Sequence, residues 1–252
     1  MKIKNKVFAI TGVSSGMGKA TAEMILHHGG SVMGIDLTPM EEGFVEYDPK
    51  QWLLMEGDVQ SAEQVRQCLE EGARYFGAVH GAIACAGIAP ARTLYSSRKG
   101  GHPWNLFLQV LKVNLGGTFN LFNEVVPLLI RNEAAEKENG VLIATSSIAS
   151  SEGQVGQVAY SASKGGVSAM ILPMARELAR YKIRVNAISP GIFHTPMVSQ
   201  FSDEVRDDLA GQVPFPARLG QPEEFAALVA TILENEYING AIYRLDGGVR
   251  MR

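Results

Sequence analysis

The chain has 252 residues, 46% of them apolar and 19% charged, with a formal net charge of −3. That length and balance suit a globular protein with a sizeable core and argue against disorder. They offer no basic run for nucleic acid or an anionic membrane, no window apolar enough for a membrane span or signal peptide, and two cysteines without Cys-x-x-Cys spacing, so neither a disulfide framework nor a zinc or other metal site is expected. A reducing, cytoplasmic setting is the simplest expectation.

In chain order, residues 6–11 ("KVFAIT") read as a first strand, and "TGVSSGMG" leads from it into a helix over 17–28. Gly12, Gly16 and Gly18 permit a tight turn that brings the N–H groups of a helix N-terminus up to a pyrophosphate, although the spacing is not G-x-G-x-x-G. Residues 31–36 form a second strand ending in Asp36. A carboxylate there accepts hydrogen bonds from an adenosine ribose and repels a 2′-phosphate. None of Ser14, Ser15, Leu37 and Thr38 is basic, which favours NAD over NADP. A third strand over 52–59 ends in Asp58 and Val59, where an adenine edge would lie. A helix over 62–75 follows, then a fourth strand over 81–87 ending in "CAG". Cys85 reads there as a buried thiol rather than a redox group.

The polar segment 91–104 carries Arg92, Arg98 and Lys99, read first as solvated loop charges and alternatively as partners for a CoA phosphate at the mouth of a site. One or two helices are expected within 104–132, with Asn114 either a buried amide in need of partners or a cap or kink residue. A fifth strand over 141–147 ends in Ser147, whose hydroxyl would face the carboxyl-end crevice and could stabilise a carbonyl oxygen. "AYSASKGG" falls in a helix predicted over 155–181, with apolar positions at Val158, Ala162, Gly166, Ala169 and Met170. Tyr160 and Lys164 are then i and i+4 on one face. A nearby ammonium lowers a phenol's pKa from about 10, which would make Tyr160 a general acid or base. By itself Tyr-x-x-x-Lys recurs by chance in many helices; Ser147 and the glycine turn give it meaning. A sixth strand over 184–191 ends in "PG". The proline-punctuated segment 191–220, a helix over 222–234 and a seventh strand over 241–248 complete the chain. His194 and the acidic pairs at 207–208 and 223–224 are given no chemical role.

The strands are near-continuously apolar and alternate with helices, the pattern of βαβ units and a parallel sheet covered on both faces. Such an α/β fold, as one domain over residues 1–252, places ligands beyond the carboxyl ends of the strands. Segments 91–104 and 191–220 both start there and are expected to wall or cover a site, the second as a substrate lid.

In order and spacing, "TGVSSGMG", "CAG", Asn114, Ser147, "YSASK" and "PG" resemble the short-chain dehydrogenase/reductase family over essentially the whole chain. The resemblance implies a Rossmann-type, doubly wound sheet of about seven parallel strands with helices on both faces, usually in a homotetramer. It implies a tetrad in which Tyr160 transfers the proton, Ser147 orients the carbonyl, Lys164 tunes Tyr160 and binds ribose, and Asn114 holds a water. Cofactor contacts would fall on Gly12, Ser15, Gly16, Met17, Gly18, Asp36, Asp58, Val59, Cys85, Ala86, Gly87, Tyr160, Lys164, Pro190, Phe193 and Thr195. Thr195 would meet the nicotinamide carboxamide. Ala84-Cys85 departs from the two asparagines many members carry. "EGQVGQVAYSASKGG", "GIFHTPM", "QVPFPARLGQPEE" and "YRLDGGVRM" are similar to the type-2 3-hydroxyacyl-CoA dehydrogenase branch. That branch implies NAD-dependent interconversion of a secondary alcohol and a ketone. A 3-oxoacyl-carrier-protein reductase, a hydroxysteroid or small-alcohol dehydrogenase, and a non-catalytic dinucleotide sensor are the alternatives. The paired glycines after Lys164 imply a close neighbour, in this family commonly another subunit's helix.

Overall fold

Strands that are apolar on both sides need helices over both faces. The computed structural model, which describes residues 1–40, 42, 44–132, 137–199 and 202–251, supplies them. In chain order the strands are β1 (Val7–Thr11), β2 (Ser31–Asp36), β3 (Trp52–Glu56), β4 (Gly81–Ala84), β5 (Tyr95–Ser96), β6 (Gly100–Gly101), β7 (Gly140–Thr145), β8 (Ile183–Pro190) and β9 (Ile242–Leu245). Seven of them form one sheet in the order β3-β2-β1-β4-β7-β8-β9, and every pairing is parallel. β5 and β6 make a small antiparallel hairpin inside segment 91–104. Strand order reverses between β1 and β4, the point where a parallel sheet opens a crevice for ligand.

The helices are α1 (Gly16–His27), α2 (Ala62–Phe76), α3 (Trp104–Val110), α4 (Gly117–Ile130), α5 (Ala149–Glu152), α6 (Val158–Leu178), α7 (Pro196–Ser199), α8 (Asp203–Gly211) and α9 (Pro222–Glu234). Alternate residues of β1 feed two cores. Phe8 and Ile10 pack with Ile25 and Leu26 of α1 and Phe225 and Val229 of α9; Val7 and Ala9 pack with Leu69 of α2, Val125 of α4 and Val167 of α6. Each large side chain fully buried this way contributes about 1.5–3 kcal/mol. β1, β4, β7 and β8 are buried at every position, as the unbroken apolar runs require. Among the described residues no helix is long and apolar enough to cross a membrane.

The sequence-predicted elements differ from the structure mostly at their ends. Strands β3, β4 and β7 stop short of the predicted 59, 87 and 147, so Asp58, Cys85 and Ser147 sit in loops just past the sheet. The helical stretch 104–132 is two α-helices joined by a π-helical turn, Leu111–Gly116. The helix predicted from residue 155 starts at Val158, and a 3₁₀ turn (Ala179–Tyr181) ends it. Its buried stripe is not the predicted one. Val158 is 45% exposed, and Ala159, Ser163, Val167, Ile171 and Ala175 face inward. The shift keeps period four, but Ser163 is a polar member whose hydroxyl is satisfied internally, so apolar patterning alone misplaces the face. At the glycine pair, a Cβ on Gly166 would stand 2.8 Å from Leu115 Cδ2 of the same chain, so the π turn supplies a close neighbour for that glycine.

Segment 191–220 contains α7 and α8; residues 200 and 201 of that segment, like residue 252, lie outside the described residues. Its two ends are pinned by a parallel bridge between Phe193 and Gly220. Asp207 and Asp208 fall inside α8 rather than at a helix start. Glu224 belongs to a capping box at the start of α9, and Arg218 beside it holds its carboxyl down at about 2.

Candidate active site

At the carboxyl ends of the strands lies a cleft of about 660 Å³. All sixteen residues singled out for the cofactor line it, as does Ser147, whereas Asn114 is buried behind its wall. One end is built by the β1–α1 turn. Gly12 and Gly16 have φ of +69° and +51°. A Cβ on Gly18 would lie 2.0 Å from the Gly12 carbonyl oxygen, so the turn closes on itself only with glycine there. Ser15, the N-cap of α1, makes no capping bond, and the first turn holds no acidic side chain. The leading N–H groups of α1 thus face the cleft with their positive dipole end uncompensated, an arrangement suited to a pyrophosphate. Next to it, Asp36 Oδ2 accepts the Ser14 N–H at 3.0 Å, which fixes the carboxylate at the rim. Asp58 is held by the Gln60 N–H at 2.9 Å. These observations fit a dinucleotide whose adenosine end lies against β2 and β3.

The other end gathers the polar side chains of β7 and α6. Ser147 Oγ accepts the Ala149 N–H at 3.1 Å, and Ser147 and Tyr160 both line the cleft. Lys164 is buried; its ammonium donates to the Thr145 carbonyl at 2.7 Å. The ammonium expected to acidify Tyr160 sits beside its ring. Lys164 Nζ lies 5.8 Å from the Tyr160 ring centroid and is aimed at the Thr145 carbonyl. Burial pushes the Tyr160 phenol up, opposed by Ser147. Burial also brings the Lys164 ammonium down to about 8. The i, i+4 stack exists, and burial acts on the phenol in the opposite direction.

Asn114 explains the π turn. An extra residue in one helical turn lets its amide point across to the loop after β4 and to α6. Oδ1 accepts the Ile88 N–H at 2.8 Å; Nδ2 donates to the Ile88 carbonyl at 2.9 Å and to Ser163 Oγ at 3.0 Å. The Asn114 side chain is therefore committed to protein partners and clamps three elements together. Ser163, which sequence reasoning passed over, closes the clamp by donating to the Tyr160 carbonyl at 2.7 Å. Its position three residues after Tyr160 on a helix was the available signal. Cys85 takes a bond from the Thr145 hydroxyl at 3.6 Å, and burial pushes its thiol to about 11, in keeping with an inert wall residue. Arg92 is a strut: Nη2 donates to the Lys99 carbonyl at 2.7 Å across the β5–β6 hairpin.

The family model described as Enoyl-(Acyl carrier protein) reductase matches residues 12–250. A curated relative, 3-hydroxyacyl-CoA dehydrogenase type-2 of Bos taurus, is 44% identical over 99% of this chain and 97% of its own length. The chain belongs to the short-chain dehydrogenase/reductase family. Within the same family, 3-oxoacyl-[acyl-carrier-protein] reductase FabG of Thermotoga maritima is 32% identical over 99% of both chains. The crystal structure of 3-hydroxyacyl-CoA dehydrogenase type-2 from Mycobacterium avium superposes with a TM-score of 0.93 at 32% identity, covering 98% of this chain and 97% of that one. As a short-chain dehydrogenase/reductase, the protein is a dinucleotide-dependent oxidoreductase acting on CH–OH groups of small molecules, on a Rossmann-type sheet.

Proposed function

We propose that the protein is an NAD-dependent 3-hydroxyacyl-CoA dehydrogenase, a single domain over residues 1–252 with segment 191–220 as its substrate lid. The observation that carries this reading is that Ser147 and Tyr160 line the same cleft as the uncapped start of α1 and Asp36. When bound, the dinucleotide supplies the hydride acceptor for oxidation or the donor for reduction. The chain's own groups do the rest. The N–H groups at the start of α1 and the glycine turn hold the pyrophosphate, Asp36 the adenosine ribose, and Lys164 and Thr195 the nicotinamide side. Ser147 donates to the substrate oxygen and aligns it. Tyr160 takes the hydroxyl proton in oxidation and returns it in reduction. Asn114 and Ser163 keep the Tyr160 helix in register with the loop after β4.

Charge supports NAD over NADP. Lys164 is the only lysine or arginine lining the cleft among the described residues, and Asp36 faces the position of a 2′-phosphate. A carrier-protein reductase using NADPH would need a cation at that point. The thioester substrate follows the relatives named for it and the apolar far end of the cleft, which Ala89, Pro90, Val113 and Leu209 line. Exposed Phe119, Val158 and Leu172 on α4 and α6 suit cover by another copy of the chain, consistent with a homotetramer. Free Cys68 and Cys85 suit a reducing cytoplasm.

The test is NADH formation with 3-hydroxyacyl-CoAs, hydroxysteroids and simple secondary alcohols. The thioesters should give the highest kcat/KM. Tyr160→Phe should lose about 100- to 10,000-fold in kcat while binding NAD normally in calorimetry. No turnover on any substrate, with NAD bound, would turn the reading to a sensor.

A further inference from the structure

Residues 246–251, the described chain beyond β9, belong to no helix or strand, yet they reach the active-site cleft. Asp246 begins a turn through Gly247 and Gly248, both with positive φ, and Met251 lines the cleft. Side chains hold this tail in place. Arg244 on β9 donates to both carboxylate oxygens of Glu152, at 2.8 and 3.3 Å, and to Asp246 at 2.7 Å. Arg250 pairs with Asp246 at 3.2 Å and approaches Glu152 at 3.7 Å. Arg244 also donates to the Val249 carbonyl at 3.2 Å. Beneath the charges, Val249 packs with Ile148 and Val213, and Met251 packs against that cluster.

Three of these anchors adjoin the site. Glu152 ends α5, whose first residue donates its N–H to Ser147 Oγ, and Ile148 follows Ser147 in the chain. Val213 lies within segment 191–220, just after α8. An isolated surface ion pair contributes little, but a four-member network with bidentate arginine geometry fixes relative positions. The network therefore sets where the tail stands relative to Ser147 and the lid.

We propose that Met251 is a wall of the substrate end that sets acyl-chain selectivity, and that the Glu152–Arg244–Asp246–Arg250 network is the positioning device that holds it there. A flexible, polarizable methionine suits a wall that must meet more than one chain. The proposal rests on the thioester reading above and deepens it by naming what discriminates among thioesters.

The experiment measures kcat/KM for 3-hydroxybutyryl-CoA and 3-hydroxydodecanoyl-CoA in wild type, Met251→Ala, Met251→Trp, Glu152→Gln and the double variant Glu152→Gln/Met251→Ala. Met251→Ala should raise the long-to-short ratio about tenfold, and Met251→Trp should lower it, the scale expected for altered hydrophobic fit in a substrate pocket. Glu152→Gln should raise the ratio in the presence of Met251 and leave it unchanged when Met251 is already alanine. NAD affinity by calorimetry should stay at the wild-type value in all variants. An unchanged ratio in both Met251 variants would overturn the wall. A Glu152→Gln effect that persists in the double variant would overturn the positioning device, since it would then act through α5 and Ser147. A wild-type protein inactive on both thioesters would instead overturn the function reading on which this rests.

Discussion

Gly18→Ala should damage the dinucleotide site out of proportion to the one methyl it adds. The added Cβ would lie 2.0 Å from the Gly12 carbonyl oxygen, where ordinary contact begins at 3.4 Å, so about 1.4 Å of separation must be found. The obstacle is backbone and cannot rotate away. Gly12 is tied to β2 by its N–H bond to the Ile35 carbonyl at 3.0 Å. The start of α1 must therefore move, carrying the N–H groups that face the cleft. Overpacking of this kind costs about 1–3 kcal/mol of stability, or about 2–4 °C in Tm for each kcal/mol in a chain of this size. Loss of about 2 kcal/mol of pyrophosphate contacts would raise the NAD Kd roughly thirtyfold. Gly165→Ala is the matched control. Its Cβ would meet only the Ser150 carbonyl oxygen at 3.5 Å, an ordinary contact. In a helix interior alanine should then stabilise by about 0.5–1 kcal/mol. Calorimetry with NAD and thermal melts on both variants check the pair. Wild-type NAD affinity in Gly18→Ala would refute the argument from the turn.

Three further outcomes are expected. Asp36→Ala should raise NADP efficiency relative to NAD about tenfold, near 1.4 kcal/mol, and steady-state kinetics with both cofactors would show an unchanged ratio if Asp36 were not the selector. Burial holds the Tyr160 proton and brings Lys164 down to about 8. A phenol with a raised pKa stays protonated further up the pH scale, so ketone reduction should hold level to about pH 9 while alcohol oxidation, which needs the phenolate, should still be climbing at about pH 10. Profiles of kcat in both directions check this, and a flat oxidation profile would contradict it. Ser163→Ala should strand a buried Asn114 N–H and cost about 1–3 kcal/mol in urea unfolding. It should also lower kcat more than it raises KM; a loss confined to stability would show that the clamp does not position Tyr160.

Sheet, alternation and motif positions were legible because they are local. Unbroken apolar runs report strands covered on both faces, and "TGVSSGMG" and "YSASK" fix a glycine turn and an i, i+4 pair within a few residues. The ends of β3, β4 and β7 were not, because a strand ends where its neighbour's ladder ends, and Asp58, Cys85 and Ser147 turned out to lie just beyond.

By itself the sequence determined a parallel α/β sheet, a glycine-lined helix start and the residues that meet at its mouth, because periodicity and spacing act over one turn or one strand. Only the tertiary structure decided the phenol's proton affinity, since burial of Tyr160 depends on everything packed around it. It also decided that Asn114 is spent on Ile88 and Ser163, that Gly166 answers to Leu115, and that Met251 stands in the wall of the cleft. Each joins residues far apart in the chain, and such contacts leave no period in the sequence to read.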